Sequence, residues 1–339
     1  MKTVYLRIGS DKAGTVSIAN LAEKNQSVFL RHSFNAPSRN CLSLCEILLE
    51  RHQIKGIDGF KDRSQKRRRG IVELMERLDR SERIDENVFL TTETLWGRLS
   101  KRNLEPVRSE VARFLRSIRE TFPEHEVKVV LHLRRIDLYL ESLYKQDIKA
   151  GRPVTLEGLR ERVTAERVFA FFRMLEEAFG PENLIVRPFE RSQLHNGCVV
   201  EDMLHTMGLS DHVNEFRIVH GNEGLHRDLM EVLISMNERY GKVTPNNRLL
   251  QISSRLGKEY GFEDVKYLLD RATREELLAQ YADFYGYLAQ HYGNGEPFFR
   301  DPLPDDSHLA YSLNPERAAL IEELVLEQAD EPVEEVVGR

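Results

Sequence analysis

No stretch of this sequence stays apolar for the length needed to cross a bilayer, and its start, MKTVYLRIGSDK, lacks the apolar core of a secretory signal. The expected location is therefore the cytoplasm. Cysteine is scarce: Cys41, Cys45 and Cys198 make no CxxC pair, and an odd number cannot complete an intrachain disulfide framework. Cys41 and Cys45, one helical turn apart, are read as reduced thiols. An excess of one charge sign is missing too. The 49 basic and 55 acidic residues leave a net charge of −6, which gives no global case for nucleic-acid binding, so any anion must be attracted locally. There is no internal repeat, no low-complexity linker, and no HExxH, EF-hand or Cys/His cluster, which excludes a solenoid and leaves no obvious metal centre.

What is present is the composition of a globular chain with a sizeable core: 41% hydrophobic and 31% charged residues over 339 positions. Residues 3–8, 87–91, 127–133 and 183–189 are short, apolar and rich in β-branched side chains, as buried parallel strands are. Helical periodicity follows the first at residues 15–24 and the third at 137–149. Alternation of this kind predicts an α/β fold with a parallel central sheet and flanking helices, and ligands in such sheets bind at the strand-to-helix junctions. Residues 31–86 read as a mostly helical insertion, and periodic segments near 199–207, 225–239 and 274–291 make the C-terminal part mainly helical. Residues 1–328 are expected to form a single elaborated domain, with 329–339 an acidic tail.

The first junction carries Gly9-Ser-Asp-Lys12-Ala13-Gly14-Thr15-Val16-Ser17. Glycines allow backbone turns that a β-carbon would obstruct, so successive N–H groups can face an anion while the next helix adds its positive end. Gly9 and Gly14 have Walker A spacing, but Thr15 stands where that motif has lysine, and Lys12 supplies the cation from within the loop. On this segment alone, a strand-helix turn with a solvent lysine stays open. The other junction reads Leu133-Arg134-Arg-Ile-Asp-Leu-Tyr-Leu-Glu-Ser142. A guanidinium at a strand end can clamp a phosphate bidentately, and a serine on the following helix can close on it.

Together the two junctions resemble those of sulfotransferases that use 3′-phosphoadenosine 5′-phosphosulfate (PAPS). That superfamily carries a loop like KxGTTS after its first strand, matched by Lys12, Gly14 and Thr15, and later an arginine with a serine eight positions on, matched by Arg134 and Ser142. The run RRxDxxxESLYxQ is similar to that region in bacterial members. Ala13 and Val16 depart from the pattern, replacing frequent hydroxyl residues. The resemblance implies a P-loop NTPase-like fold, PAPS as cosubstrate and 3′-phosphoadenosine 5′-phosphate (PAP) as product. It implies cofactor contacts from Gly9, Lys12, Ala13, Gly14, Thr15, Val16, Ser17, Arg134 and Ser142, with Phe189 beneath the adenine or in the core.

Val88-Phe-Leu-Thr91-Thr92-Glu93 resembles a strand end where bacterial relatives carry Ser-Ser-Glu. Glu93 is read as the base that takes the acceptor proton or as a cap on the helix that follows. His32 is the runner-up base. Residues 61–69 hold six basic side chains in nine positions, either a solvated face or a dock for an anionic glycan or lipid headgroup. The expected activity is metal-free transfer of a sulfonate from PAPS to a hydroxyl or amine of a glycan, glycolipid or small-molecule acceptor. Two alternatives stay open: a noncatalytic nucleotide-binding relative and a P-loop small-molecule kinase using ATP.

Overall fold

Each apolar run of the sequence becomes a strand of one parallel sheet. A computed structural model describes residues 2–10, 12–37, 41–57, 65–80, 82–92, 95–152, 154–219, 225–241, 246–262, 267–306 and 313–330. The strands are β1 (Lys2–Ile8), β2 (Phe34–Asn35), β3 (Asn87–Thr92), β4 (His125–Leu133) and β5 (Leu184–Pro188). Their order is β2-β3-β1-β4-β5, with every neighbouring pair parallel. The fold is therefore α/β with a five-stranded parallel sheet among many helices. β2 escaped the sequence reading because two residues cannot establish a period, and Pro37, which has no N–H, soon follows. It lies within the stretch read as a mostly helical insertion, which otherwise contains the helices Leu42–Arg51 and Gln65–Asp79.

The strand order fixes where a ligand can sit. From β1 the chain runs to β2 and β3 on one side, and from β4 it runs to β5 on the other. β1 and β4 are hydrogen-bonded neighbours whose onward connections diverge, so the crevice beyond their carboxyl ends is the topological switch point. The two junctions singled out in the sequence follow these two strands.

Contacts divide the chain into two compact units. The first comprises Met1–Arg135, Arg162–Gly221 and Gln280–Asp301 and contains the whole sheet. On one face of the sheet, Phe34, Phe89 and Val130 pack with Ile18 and Leu21 of helix Thr15–Lys24, Phe29 of Gln26–Arg31, and Val200, Met203 and Leu204 of Val199–Thr206. Helix Ala165–Phe179 contacts β4 and β5 and also Arg108–Glu120. The second unit comprises Ile136–Glu161, Asn222–Ala279 and Pro302–Arg339 and is helical among its described residues. Its core gathers Ile148, Leu229, Met230, Met236, Ile252, Leu256 and Val325, all but fully buried. The periodic segment 274–291 is two helices, Arg271–Gln280 and Ala282–Tyr292. Between them buried Tyr281 donates its hydroxyl to the Val163 carbonyl at 2.9 Å. Residues 331–339 of the acidic tail lie outside the described residues, and helix Pro315–Asp330 runs into its start. No helix among the described residues is long and apolar enough to cross a membrane.

Candidate functional site

The turn after β1 is built from backbone geometry that its residues allow. Lys12 and Gly14 both have left-handed backbones, with φ of 70° and 69°. At Gly14 a side chain is barred by space as well, since a β-carbon would lie 2.5 Å from Val199 Cγ1 and 3.3 Å from Phe189 Cε2. Gly9 N donates to the Thr92 carbonyl at 3.1 Å, which ties the start of the turn to the end of β3. Ser10 Oγ donates to the His132 carbonyl at 2.7 Å, tying it to β4. The turn is thus stitched to both neighbours of β1.

Gly14 caps helix Thr15–Lys24 without a side chain, and no acidic residue occupies the first turn. The amides of Thr15, Val16 and Ser17 begin the helix where an anion gains from both N–H donors and the macrodipole. Ala13 is different. Its N–H donates back to the Ser10 carbonyl at 3.2 Å and the residue is fully buried, so it shapes the turn instead of offering its amide to a ligand. The Thr15 hydroxyl reaches the same carbonyl at 3.4 Å.

Arg7, which the sequence reading passed over as part of an apolar strand, is the buried cation of this site. It is fully enclosed, and its Nη2 donates to the Ala13 carbonyl at 2.7 Å. A β-carbon on Gly9 would sit 2.4 Å from Arg7 Nη1, so the guanidinium passes directly behind the turn and Gly9 makes room for it. Arg7 pairs with Val130 in register, and His132 pairs with Arg187. Alternation along the strands therefore puts Arg7, His132 and Arg187 on one face near the carboxyl ends of three neighbouring strands.

Asp202, fully buried on helix Val199–Thr206, balances part of this basic row. It accepts from His132 Nε2 at 2.9 Å, from Arg187 Nη2 at 2.6 Å and Nε at 3.2 Å, and from the His195 amide at 2.9 Å. Burial alone would raise its pKa, but these hydrogen bonds outweigh it and hold the carboxyl well below the usual range. Burial pushes His132 below its ordinary value, and the nearby Arg7 and Arg187 reinforce this against the pull of Asp202. An ionised Asp202 only accepts, so the contact at 2.9 Å is one in which His132 Nε2–H donates.

The two arginines after β4 part company. Arg135 is buried and lies 3.6 Å from the Glu190 carboxylate, which also accepts from the Arg300 and Asp301 amides. It braces the chain. Arg134 is only partly buried; its Nη1 donates to the Lys12 carbonyl at 2.8 Å, and its guanidinium carbon lies 5.8 Å from the Phe189 ring centre. The structure thus brings together the glycine turn, Arg134 and Phe189.

Ser142 lies on helix Ile136–Lys149 in the second unit, where it is partly buried. Two acidic residues of the same motif have structural work in that unit: Asp137 accepts from fully buried Arg274 at 3.0 Å, and Glu141 also pairs with it. Glu93 lies outside the described residues, as does Asp11 of the turn. His32 is not brought to the turn. It precedes β2, whose Phe34 pairs with Asn87 at the start of β3, whereas Gly9 bonds to Thr92 at the end of β3. Five residues at ~3.3 Å each put these levels roughly 16 Å apart, at opposite ends of the sheet. Of the basic stretch, residues 61–64 lie outside the described residues, while Arg68 pairs with Glu46 at 3.0 Å and Arg69 with Glu73 at 3.6 Å.

No family model matches the chain, and no solved structure matches it. A protein of Archaeoglobus fulgidus described as uncharacterized is 28% identical over 167 residues. The match covers 45% of this chain and 45% of that protein, so the chain spans less than half of that relative's length.

Proposed function

We propose that the turn after β1 binds PAPS and that the protein transfers its sulfonate group to a hydroxyl or amine of a glycan, glycolipid or small-molecule acceptor. The observation that carries this reading is the meeting of the glycine turn and Arg134 at the β1/β4 switch point, with the Arg134 guanidinium 2.8 Å from the Lys12 carbonyl. In the proposed complex the amides of Gly14, Thr15, Val16 and Ser17 hold the 5′-phosphate at the helix start. Arg134 reaches the 3′-phosphate and Phe189 lies against the adenine. Buried Arg7 keeps the field behind the turn positive.

The chemistry is an in-line displacement. The acceptor oxygen or nitrogen attacks sulfur, the bond from sulfur to the phosphate oxygen breaks, and PAP leaves. Lys12 offsets charge developing on that leaving oxygen, while Glu93 takes the acceptor proton. The resemblance of both junctions to PAPS-dependent sulfotransferases supports the choice of nucleotide over ATP, as does the absence of lysine after Gly14.

Arg134 supplies the test. Losing a charge-assisted contact costs about 1.5 to 3 kcal/mol, so Arg134→Ala is expected to weaken PAP binding roughly tenfold or more. Binding of adenosine 5′-phosphate, which lacks the 3′-phosphate, should change far less. Calorimetric titration of both nucleotides against wild type and variant reads the difference. Equal losses for the two would make Arg134 a brace for the Lys12 carbonyl and remove it from 3′-phosphate recognition.

A further inference from the structure

We propose that His32, His212 and Glu215 form a binding site for a divalent transition metal ion, zinc being the best match, on the surface of the first unit. The proposal is independent of the nucleotide reading, since His32 stands at the far end of the sheet from the glycine turn.

The three residues converge because of how their elements are built. His212 and Glu215 belong to the 3₁₀ helix Ser210–Glu215, where three residues make one turn, so side chains three apart emerge on the same side. His32 caps the C-terminus of helix Gln26–Arg31. The two elements are locked by a reciprocal clasp in which Asn25 Nδ2 donates to the Arg217 carbonyl at 3.0 Å and Arg217 N donates to Asn25 Oδ1 at 2.7 Å. Phe29 and Phe216 reinforce it edge to face, with ring centres 5.0 Å apart. A metal site held by packing of this kind needs little reorganisation on binding.

The donor set is that of a three-ligand zinc site, two imidazoles and a carboxylate with one position open. His32 Nε2 lies 3.1 Å from Glu215 Oε2 and His212 Nδ1 lies 2.9 Å from Glu215 Oε1. One ligand atom from each residue falls within 4.8 Å of the others. Zinc bonds of about 2.0 to 2.2 Å at tetrahedral angles require ligand atoms roughly 3.3 to 3.6 Å apart. The nitrogen–oxygen distances therefore open by a few tenths of an ångström and the two rings close by at most about an ångström, and His212 and Glu215 are exposed enough to turn. Arg31 Nη2 bonds to Glu215 Oε2 at 3.2 Å, where it competes for that oxygen and opposes a cation by its charge.

The whole chain, stripped with a chelator, would be titrated with zinc chloride in competition with a chromophoric zinc indicator. One equivalent is expected to bind. Loss of an outer-shell partner costs metal sites about 10- to 100-fold, so loss of a direct ligand in His212→Ala or Glu215→Gln should weaken binding at least that much. Arg31→Gln should bind as tightly as wild type or more so, because it removes a repelling charge. His291→Ala, which removes an exposed histidine whose ring contact is with Tyr287, should leave zinc binding unchanged. Absence of zinc binding in wild type, wild-type affinity in His212→Ala, or loss in His291→Ala instead would each overturn the proposal. Matching circular dichroism across the variants excludes unfolding as the cause of a loss.

Discussion

Lys12→Ala is expected to lower sulfonate transfer by about 10²- to 10³-fold while leaving the protein folded, the range seen when one donor aimed at developing charge is lost. The backbone at this position is left-handed, with φ of 70°. Lysine and alanine both carry a β-carbon, so the substitution leaves backbone strain nearly unchanged and isolates the ammonium. Affinity for PAP should fall much less than turnover, because the charge that Lys12 meets is greatest as the sulfonate departs. Single-turnover consumption of PAPS, paired with PAP titration of the same preparation, separates the two quantities. Near-normal consumption would take Lys12 out of the mechanism.

Glu93→Gln is expected to lower transfer by about 10²- to 10⁴-fold with PAP affinity unchanged, since the amide keeps the shape of the side chain but accepts no proton. A residue that only caps the helix Leu95–Leu99 would behave in the opposite way: glutamine would retain part of the hydrogen bonding and the loss would appear as a lower melting temperature. Until an acceptor is in hand, slow hydrolysis of PAPS by wild type and variant serves as the readout. Unchanged hydrolysis with unchanged stability would remove Glu93 from both roles. His32 could not then take over from the opposite end of the sheet.

The parts of this molecule that are legible in the sequence are those governed by local rules. Four strands announced themselves because strands buried on both faces read as continuous apolar runs, and the turn because Gly9 and Gly14 stand between such a run and a helical period. Arg134 was visible from its place after β4. Arg7 was not, because an arginine within TVYLRI reads as a tolerated exception until the tertiary fold puts it behind Gly9. The signal that could have found it is its position, two residues before the glycine turn and on the face opposite Leu6 and Ile8. Asp202 was hidden for a different reason: its partners are 70 and 15 residues away in the chain, and no spacing rule joins them. The same holds for His32 and Glu215, 183 residues apart, whose pairing was not legible either. One of the boundaries between the two compact units falls between Arg135 and Ile136, where the sequence shows no linker.

The proposed binding of PAPS rests on the turn after β1 recognising a nucleotide with phosphates at both its 5′ and 3′ positions. Calorimetric titration of the wild-type protein with PAP and with ATP, each in the presence and absence of magnesium, tests that most directly. The account predicts that PAP binds more tightly than ATP and that its affinity does not depend on the metal. Preference for magnesium-ATP, or no binding of PAP at all, would contradict it.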